Sequence, residues 1–363
     1  MKGAKTQRSK DSNINLLLAP LRLGVFALRG SFRLILLFCI CAISAEAHQV
    51  IICGVCKDAE KQLPVAFASI EALAKKCTDY RVVIYENNSK DNTKILLRQW
   101  AVKDPKILVI SEDLSSRALK KVGRAKNKSR TESIARARNI LLDEIMKKKY
   151  DGFPYVVMAD LDMLAWDVEG ILATLDAKEP EWDAVCANGG YDRFAFRDEE
   201  YPFGAELLGN IYWKRVWDYD LQLSPSGEWK KVYSAFGGLG IYKRDSIRGC
   251  RYSGVVTAEL ETLMEGWIQE GIKRSVFLAK EYEELLKTAP IIDVAGDRLA
   301  NRKNYPSCIG MKLRSHGGKV VWFGVDDKIA CPITCEHITF HAAMITRGKD
   351  KIYINPHLKS MHP

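Results

Sequence analysis

Short apolar runs alternate with helically spaced apolar residues through the first half of the chain. The runs that predict buried strands cover residues 49–54, 81–85, 107–110 and 155–159. The segments with helical spacing lie between them, at residues 63–76, 93–102 and 132–148. This alternation predicts a Rossmann-like, doubly wound α/β sheet. Ligands bind such a sheet at the carboxyl ends of its strands.

The pattern changes after residue 165. Residues 166–363 are less regular and are rich in aromatic side chains and glycine. We therefore expect three parts, a leader at 1–47, a regular α/β half at 48–165 and an irregular half at 166–363.

The formal charge of +10 is concentrated in two segments. Residues 1–33 carry a net charge of +6 and residues 117–130 a net charge of +7, which leaves −3 for the rest of the chain. Because the basic residues are not spread over a folded face, the sequence argues against nucleic acid as a partner. The segment 117–130 is most simply a solvated loop, with binding of a diphosphate or an anionic acceptor as the alternative.

The leader has the features of a targeting segment. An uncharged stretch at 34–45 follows the basic residues, and Ala45-Glu46-Ala47 matches the small-x-small pattern of signal-peptidase sites. Twelve uncharged residues are short for a membrane span, which needs about 20. We expect a signal peptide or signal-anchor, with membrane association through residues 14–47; a helix lying on the membrane surface is the alternative. The expected location is the secretory pathway, Golgi-type in a eukaryote, or the cytoplasmic membrane face in a bacterium.

Two carboxylates follow the predicted strand 155–159 directly. Asp160 and Asp162 are two residues apart, where a buried strand ends, so both can offer hard oxygen ligands to one cation. Mg²⁺ and Mn²⁺ accept a few carboxylates together with substrate phosphates, and such a cation neutralises a leaving diphosphate. Asp-x-Asp alone is a weak signal, and its position after an apolar strand strengthens it.

The segment 82–93 carries a resemblance to a known family. It reads Val-Val-Ile-Tyr-Glu-Asn-Asn-Ser-Lys-Asp-Asn-Thr and resembles the second strand and following loop of GT-A-fold glycosyltransferases of the family 2 type. There an apolar strand leads into Asp-Asn-Gly-Ser-x-Asp-Gly-Thr. Asn88 and Asn92 replace the glycines, and asparagine tolerates positive φ better than most residues. The resemblance implies nucleoside and donor binding by Glu86, Asn87, Ser89 and Asp91.

Two further segments resemble the same family. Residues 135–139 resemble the Arg-Asn element on the helix before the Asp-x-Asp strand, which implies that Arg138 supports the donor pocket. Residues 335–356 resemble the block that begins x-Glu-Asp, in which the acid is the general base of inverting members. Glu336 matches that acid, and His337 replaces the Asp. His337 or His341 could supply a third metal ligand, while a packed helix histidine is the plainer interpretation of His341.

A glycine-bearing loop at 234–244 resembles the acceptor loop of the family. Its glycines would allow a sugar to approach the backbone, and Tyr233 and Phe236 could stack on the sugar. Glu259 and Glu261 follow and form a second candidate for the base.

The resemblance implies a GT-A-like mixed α/β sheet with an acceptor-binding second half. It implies transfer of a hexose, with mannose as one candidate, from a nucleoside-diphosphate sugar to a hydroxyl group. The acceptor would be a glycan, a protein or a lipid-linked molecule, and the cofactor Mn²⁺ or Mg²⁺. The Cys-Glu-His sequence and an insertion at 262–330 look more like the cryptococcal mannosyltransferase type, family 69. That type implies retaining chemistry, in which Glu336 would contact metal or acceptor.

Two other functions stay open on the sequence. A non-catalytic carbohydrate-binding protein would fit the many aromatic residues and would need neither metal nor nucleotide. A sugar-phosphate nucleotidyltransferase would need a phosphate loop rich in glycine and basic residues after the first strand. Residues 53–58 supply only one glycine and one lysine for such a loop.

Overall fold

The structure of the protein is a computed structural model. The described residues are 48–115, 130–189, 192–202, 204, 223–224, 227–275, 279–280, 283, 292–293, 312–316, 319–323 and 334–361. The leader, nearly all of the basic segment 117–130 and much of the region 262–330 lie outside them.

Nine strands form one mixed sheet in the described part of the chain, in the order β3-β2-β1-β4-β8-β6-β12-β5, with β7 paired to β12. The strands β1 to β4 are parallel to one another, β8 runs antiparallel to β4 and β6, and β12 is parallel to β6. These strands are β1 (Gln49–Cys56), β2 (Asp79–Asn87), β3 (Ile107–Glu112), β4 (Tyr155–Asp160), β5 (Ala165–Trp166), β6 (Ala184–Asn188), β7 (Lys230–Lys231), β8 (Leu239–Lys243) and β12 (Ile352–Met361). A separate antiparallel sheet has the order β11-β10-β9 and consists of β9 (Ile292–Asp293), β10 (Lys312–His316) and β11 (Lys319–Phe323).

Helices cover both faces of the large sheet because alternate strand residues point to opposite faces. On β1, Ile51 and Cys53 face a core that also contains apolar residues of α3, α5 and α6. Val50 and Ile52 face the other core, with apolar residues of α1, α2 and α4. The helices are α1 (Leu63–Ala74), α2 (Thr93–Lys103), α3 (Arg130–Ile145), α4 (Val168–Asp176), α5 (Ala258–Arg274) and α6 (Glu336–Ile345).

The predicted α/β fold with a mixed, doubly wound sheet is confirmed. All four strands and all three helices predicted before residue 165 are present, with α3 ending at Ile145 and a short 3-10 turn after it. Strands from the irregular half, β6, β8 and β12, join the same sheet as β1 to β4. Within the described residues, no helix has both the length and the apolar character required to cross a membrane.

The start of α3 is fixed against the loop that follows β8. The Glu132 carboxylate accepts a hydrogen bond from the Gly254 amide at 2.7 Å, and the Thr131 hydroxyl donates to the Gly254 carbonyl at 3.1 Å. The Asn139 side chain exchanges two 2.9 Å hydrogen bonds with the backbone of Tyr252. A Cβ on Gly254 would lie 2.2 Å from the backbone nitrogen of Glu132, so only glycine allows this approach.

We expect Gly254→Ala to destabilise the protein by about 1–3 kcal/mol, because the added methyl group would force α3 away from the loop. Gly266→Ala is the matched control. Gly266 lies within α5 with nothing within 4 Å of an added Cβ, so alanine there should stabilise the helix by about 0.5–1 kcal/mol. Urea unfolding of both variants measures the difference, and equal effects would contradict this account of Gly254.

Candidate active site

A cavity of about 670 Å³ opens at the carboxyl ends of β1, β2 and β4. This is the edge where parallel strands of an α/β sheet bind ligands. In the sheet order β1 lies between β2 and β4, so the ends of β2 and β4 lie on opposite sides of the cavity. The polar and charged residues that line it include Asn87, Arg138, Asp160, Asp162, Asp192 and Glu336.

Arg138 connects two carboxylates at the centre of the cavity. Its Nη2 atom donates to Asp160 Oδ1 at 2.8 Å, and its Nη1 atom donates to Glu336 Oε1. The side chain is 4% exposed. Burial alone would lower the pKa of Arg138, but Glu336 and then Asp160 outweigh it and raise the pKa well above its usual value. The guanidinium is therefore charged and holds residues from α3, β4 and α6 together.

Asp160 and Asp162 both line the cavity, as expected from their position after a buried strand. No group of three or more His, Cys, Asp or Glu side chains suited to a metal ion occurs among the residues that the structure describes. Two carboxylates fit Mg²⁺ or Mn²⁺ when phosphate oxygens of a substrate complete the coordination. The residues present therefore suit a cation that binds together with its substrate.

Glu336 begins α6 and is 5% exposed. Besides the bond from Arg138 to its Oε1 atom, its Oε2 atom lies 3.8 Å from the Cys335 Sγ atom. Glu259 and Glu261, the other candidates for the base, lie in the first turn of α5 and do not line the cavity. Of these three carboxylates, only Glu336 reaches the site.

The two histidines of α6 have different environments. The ring nitrogens of His341 contact the Ser234 hydroxyl at 3.0 Å and the Tyr242 hydroxyl at 3.2 Å, and the residue is buried away from the cavity. Burial lowers its pKa to about 3, so the ring is neutral. Because His341 does not line the cavity that contains Asp160 and Asp162, its position fits the packed helix histidine and not the expected metal ligand.

His337 lines the cavity, and its ring stacks on Phe236 at a centroid distance of 3.6 Å. Neither ring nitrogen has a hydrogen-bond partner among the described residues. Burial first, and then Arg138 and His341, lower the pKa of His337 well below its usual value. The His337 Nε2 atom lies 3.8 Å from Glu336 Oε1, and the role of His337 as a metal ligand stays a prediction.

The expected sugar-stacking aromatics are occupied by protein. Phe236 is buried beneath His337, and the Tyr233 ring stacks on Trp267 at 4.4 Å. In the glycine loop, the close backbone approach is to β6 and not to a ligand. Gly237 has a φ of +62°, and a Cβ there would lie 2.5 Å from the Ala187 carbonyl oxygen.

Polar side chains at the end of β2 and in the loop after it form hydrogen bonds that fix this loop against the loop after β1. Glu86 is fully buried, and its two oxygens accept hydrogen bonds from the Ser89 amide at 2.8 Å and the Ser111 hydroxyl at 2.6 Å. The Ser89 hydroxyl accepts from the Asp58 amide, and the Asp91 carboxylate accepts from the Glu60 and Thr93 amides. Among Glu86, Asn87, Ser89 and Asp91, Asn87 alone lines the cavity. The contacts of the other three serve the loop itself.

The substituted glycines of this loop behave differently from each other. Asn88 has a φ of +55°, in agreement with the expectation that it replaces a glycine in the left-handed region. Asn92 has a φ of −77° and precedes α2 as its N-cap residue, so no such tolerance is needed there.

Asp192 is a cavity residue that sequence reasoning missed. It follows β6, and its Oδ1 atom accepts from the Ala195 amide at 3.3 Å. Burial first, and then the negative charges of Glu336 and Asp160, raise its pKa to about 7. A lone aspartate in an aromatic-rich stretch has no motif or spacing that would identify it in the sequence.

No protein-family model matches the chain, and no curated protein matches it either. Solved structures align over part of it. Mannosyltransferase PcManGT from Pyrobaculum calidifontis, in complex with GDP-Man and Mn²⁺, is 17% identical over 56% of this chain and 47% of that chain, with a TM-score of 0.34. Glucosyl-3-phosphoglycerate synthase from Mycobacterium tuberculosis is 17% identical over 56% and 60%, with a TM-score of 0.32. S. aureus TarS is 14% identical over 60% and 54%, with a TM-score of 0.35.

The aligned parts thus span about half to three fifths of these solved chains.

We expect Arg138→Met to lower the free energy of unfolding by about 3–5 kcal/mol, because it leaves the buried Glu336 carboxylate without its cation. Arg136→Met is the control, since the Arg136–Glu112 pair is about one-third exposed and should contribute about 0–1 kcal/mol. Adding Glu336→Gln to Arg138→Met should restore part of the loss. Urea unfolding of the wild type, of these variants and of Glu336→Gln alone measures the coupling, and strictly additive effects of the two single changes would contradict it.

The raised pKa of Asp192 predicts a pH-dependent stability difference in metal-free buffer. The pKa of Asp192 is about 7 in the folded chain, and its ordinary value is 3.8. Because the folded state holds this proton more tightly than the unfolded state, the free energy of unfolding falls as the pH rises from about 4 to about 7. Asp192→Asn should therefore be more stable than the wild type at pH 8, and this gap should close towards pH 4. Asp143→Asn, an exposed change, should show no such trend. A gap of the same size at both pH values would disprove the assignment.

Proposed function

We propose that this chain is a glycosyltransferase that moves a hexose from a nucleoside-diphosphate sugar to a hydroxyl group, with Mn²⁺ or Mg²⁺ as cofactor. The observation that carries the proposal is the pairing of Asp160 and Asp162 at the carboxyl end of β4, inside one cavity with Arg138 and Glu336. The family 2 resemblance of residues 82–93 and 335–356 supports it independently.

Asp160 and Asp162 would hold the cation, which when bound would neutralise the diphosphate as it leaves. Arg138 keeps Asp160 oriented towards the cavity through its 2.8 Å hydrogen bond. Asn87, with the neighbouring Tyr85 and Leu114, lines the side of the cavity at the end of β2 and would contact the nucleoside. This division follows the sheet order, in which β1 separates β2 from β4.

In the reaction, the bond between the anomeric carbon and the diphosphate oxygen breaks, and its electron pair leaves with the diphosphate. The acceptor oxygen forms the new bond to the anomeric carbon and loses its proton. In an inverting reaction Glu336 would take that proton on Oε2, while Arg138 stays bound to Oε1. In a retaining reaction of the family 69 type, the leaving diphosphate would take it, and Glu336 would serve to hold Arg138. The anomeric configuration of the product, measured by NMR, distinguishes the two.

The proposed reaction restricts the chemical class of the acceptor less than that of the donor. A hydroxyl of a glycan, a protein or a lipid-linked sugar would fit the proposed reaction. Association with a membrane through residues 14–47, and a secretory or membrane-bound location, remain proposals from the leader sequence.

We expect the full chain to release one nucleotide from a panel of GDP-mannose, UDP-glucose, UDP-galactose and UDP-N-acetylglucosamine only when Mn²⁺ or Mg²⁺ is present. Asp162→Asn should reduce this rate roughly 100-fold or more, because one carboxylate ligand of the cation is lost. Asp143→Asn removes the same charge from an exposed position on α3 and should leave the rate unchanged.

A folded protein that neither turns over a nucleotide sugar nor binds nucleotide with metal would contradict the proposal. Binding of glycans under those same conditions, independent of metal, would favour a non-catalytic carbohydrate-binding protein instead. Transfer of a nucleotidyl group from a nucleoside triphosphate to a sugar phosphate would favour the nucleotidyltransferase.

A further inference from the structure

The sheet order places the segment that contains Asp192 on the side of the Asp-x-Asp pair away from Asn87. The sheet order is β2, β1, β4, β8, β6, so the end of β4 lies two strands from β2 and two strands from β6. Neighbouring strands are about 4.8 Å apart, which gives roughly 10 Å from β4 to either side. Asn87 ends β2, Asp160 ends β4, and Asp192 follows β6 within the same cavity.

A nucleoside-diphosphate sugar has the same linear order of chemical groups. With the diphosphate at Asp160 and Asp162 and the nucleoside towards Asn87, the hexose extends towards the end of β6. The group that reaches this side of the cavity is therefore the sugar and not the base.

The backbone around Asp192 is held firmly enough to present a side chain in one place. The Asp192 carbonyl and its Oδ1 atom both accept from the Ala195 amide. Two residues further on, Arg197 forms an isolated β-bridge with Ser234, with hydrogen bonds of 2.9 and 3.1 Å between their backbones. The short segment is thereby tied to the glycine loop.

The Asp192 carboxylate has few internal partners for its charge. Within the described residues, no Lys, Arg or His side chain forms an ion pair with it, and Arg138 is committed to Glu336 and Asp160. Asp192 is partly buried, and a carboxylate that has lost part of its hydration without gaining a cation needs hydrogen-bond donors to offset that loss. Sugar hydroxyl groups are such donors, and a second carboxylate is not.

We propose that Asp192 accepts a hydrogen bond from a hydroxyl group of the hexose being transferred, and that it thereby selects a neutral hexose against a hexuronic acid. This inference rests on the proposed glycosyltransferase function and adds the chemical class of the transferred sugar. The pKa of Asp192 near 7 agrees with a carboxylate whose negative charge is poorly compensated until a hydroxyl donor binds.

The test combines Asp192→Ala with deoxy analogues of the preferred donor, using the full chain. Removing the hydroxyl that contacts Asp192 should reduce kcat/KM of the wild type roughly 10- to 150-fold, the range expected for a hydrogen bond to a charged group. Asp192→Ala should lose a similar factor with the complete hexose and lose nothing more with that one analogue. The other deoxy donors should reduce both proteins by the same factor.

Two results would overturn the inference. One is a set of analogues whose effects multiply with the effect of Asp192→Ala at every hydroxyl position. The other is an Asp192→Ala variant with the kcat/KM of the wild type. Either result leaves the wild type active, so the proposed function would stand while the role of Asp192 falls. A wild type that uses no nucleotide sugar would instead contradict the proposed function.

A second measurement uses a uronic acid donor with the same nucleotide. The wild type should discriminate strongly against it, because the uronate carboxylate would lie beside the Asp192 carboxylate and the two negative charges repel each other. Asp192→Asn removes one of these charges without removing a hydrogen-bonding side chain, so it should narrow the gap between neutral and acidic donors. Asp143→Asn should preserve the wild-type gap, and an unchanged gap in Asp192→Asn would count against the proposal.

Discussion

The buried Arg138 guanidinium is the interaction on which the cavity depends. A charge removed from water is tolerated only when carboxylates surround it, and here Asp160 and Glu336 supply them. The three side chains come from a helix, a strand end and a second helix that starts almost two hundred residues later. Their mutual dependence fixes the distance between the Asp-x-Asp pair and the start of α6. The same ion pairs leave Asp192 on the far side without a cation, which gives that carboxylate a different chemistry from its neighbours.

Local sequence signals predicted the elements well, because strand and helix periodicity depends on residues close together in the chain. The strand before Asp160 and the positive φ of Asn88 are examples. The family resemblance also identified Arg138 and Glu336 as residues of interest, although not that they contact each other. That contact depends on strand order, which brings the late-encoded α6 beside β4. No pattern within a short window contains this information.

The motif residues of the β2 loop illustrate a second limit of sequence reasoning. Glu86, Ser89 and Asp91 match the family pattern, yet their hydrogen bonds are spent on fixing one loop against another. Side chains that cap backbone amides and side chains that meet a ligand can have the same identity and spacing. Only burial and the positions of the partner atoms separate them, as they also separate the packed His341 from the cavity residue His337.

The position of β12 in the sheet has a consequence for how the protein acquires its structure. This strand pairs in parallel with β6, about 170 residues earlier, and on the other side of β6 the strand β8 joins β6 to β4. Pairings between such distant segments carry a large loop-closure entropy, so chains dominated by them fold slowly. On a ribosome the regular half would emerge first with the β4 edge of its sheet unpaired, exposed to self-association until the later strands arrive. Chaperone demand during synthesis is therefore expected to depend on how soon β6, β8 and β12 complete the sheet beside β4.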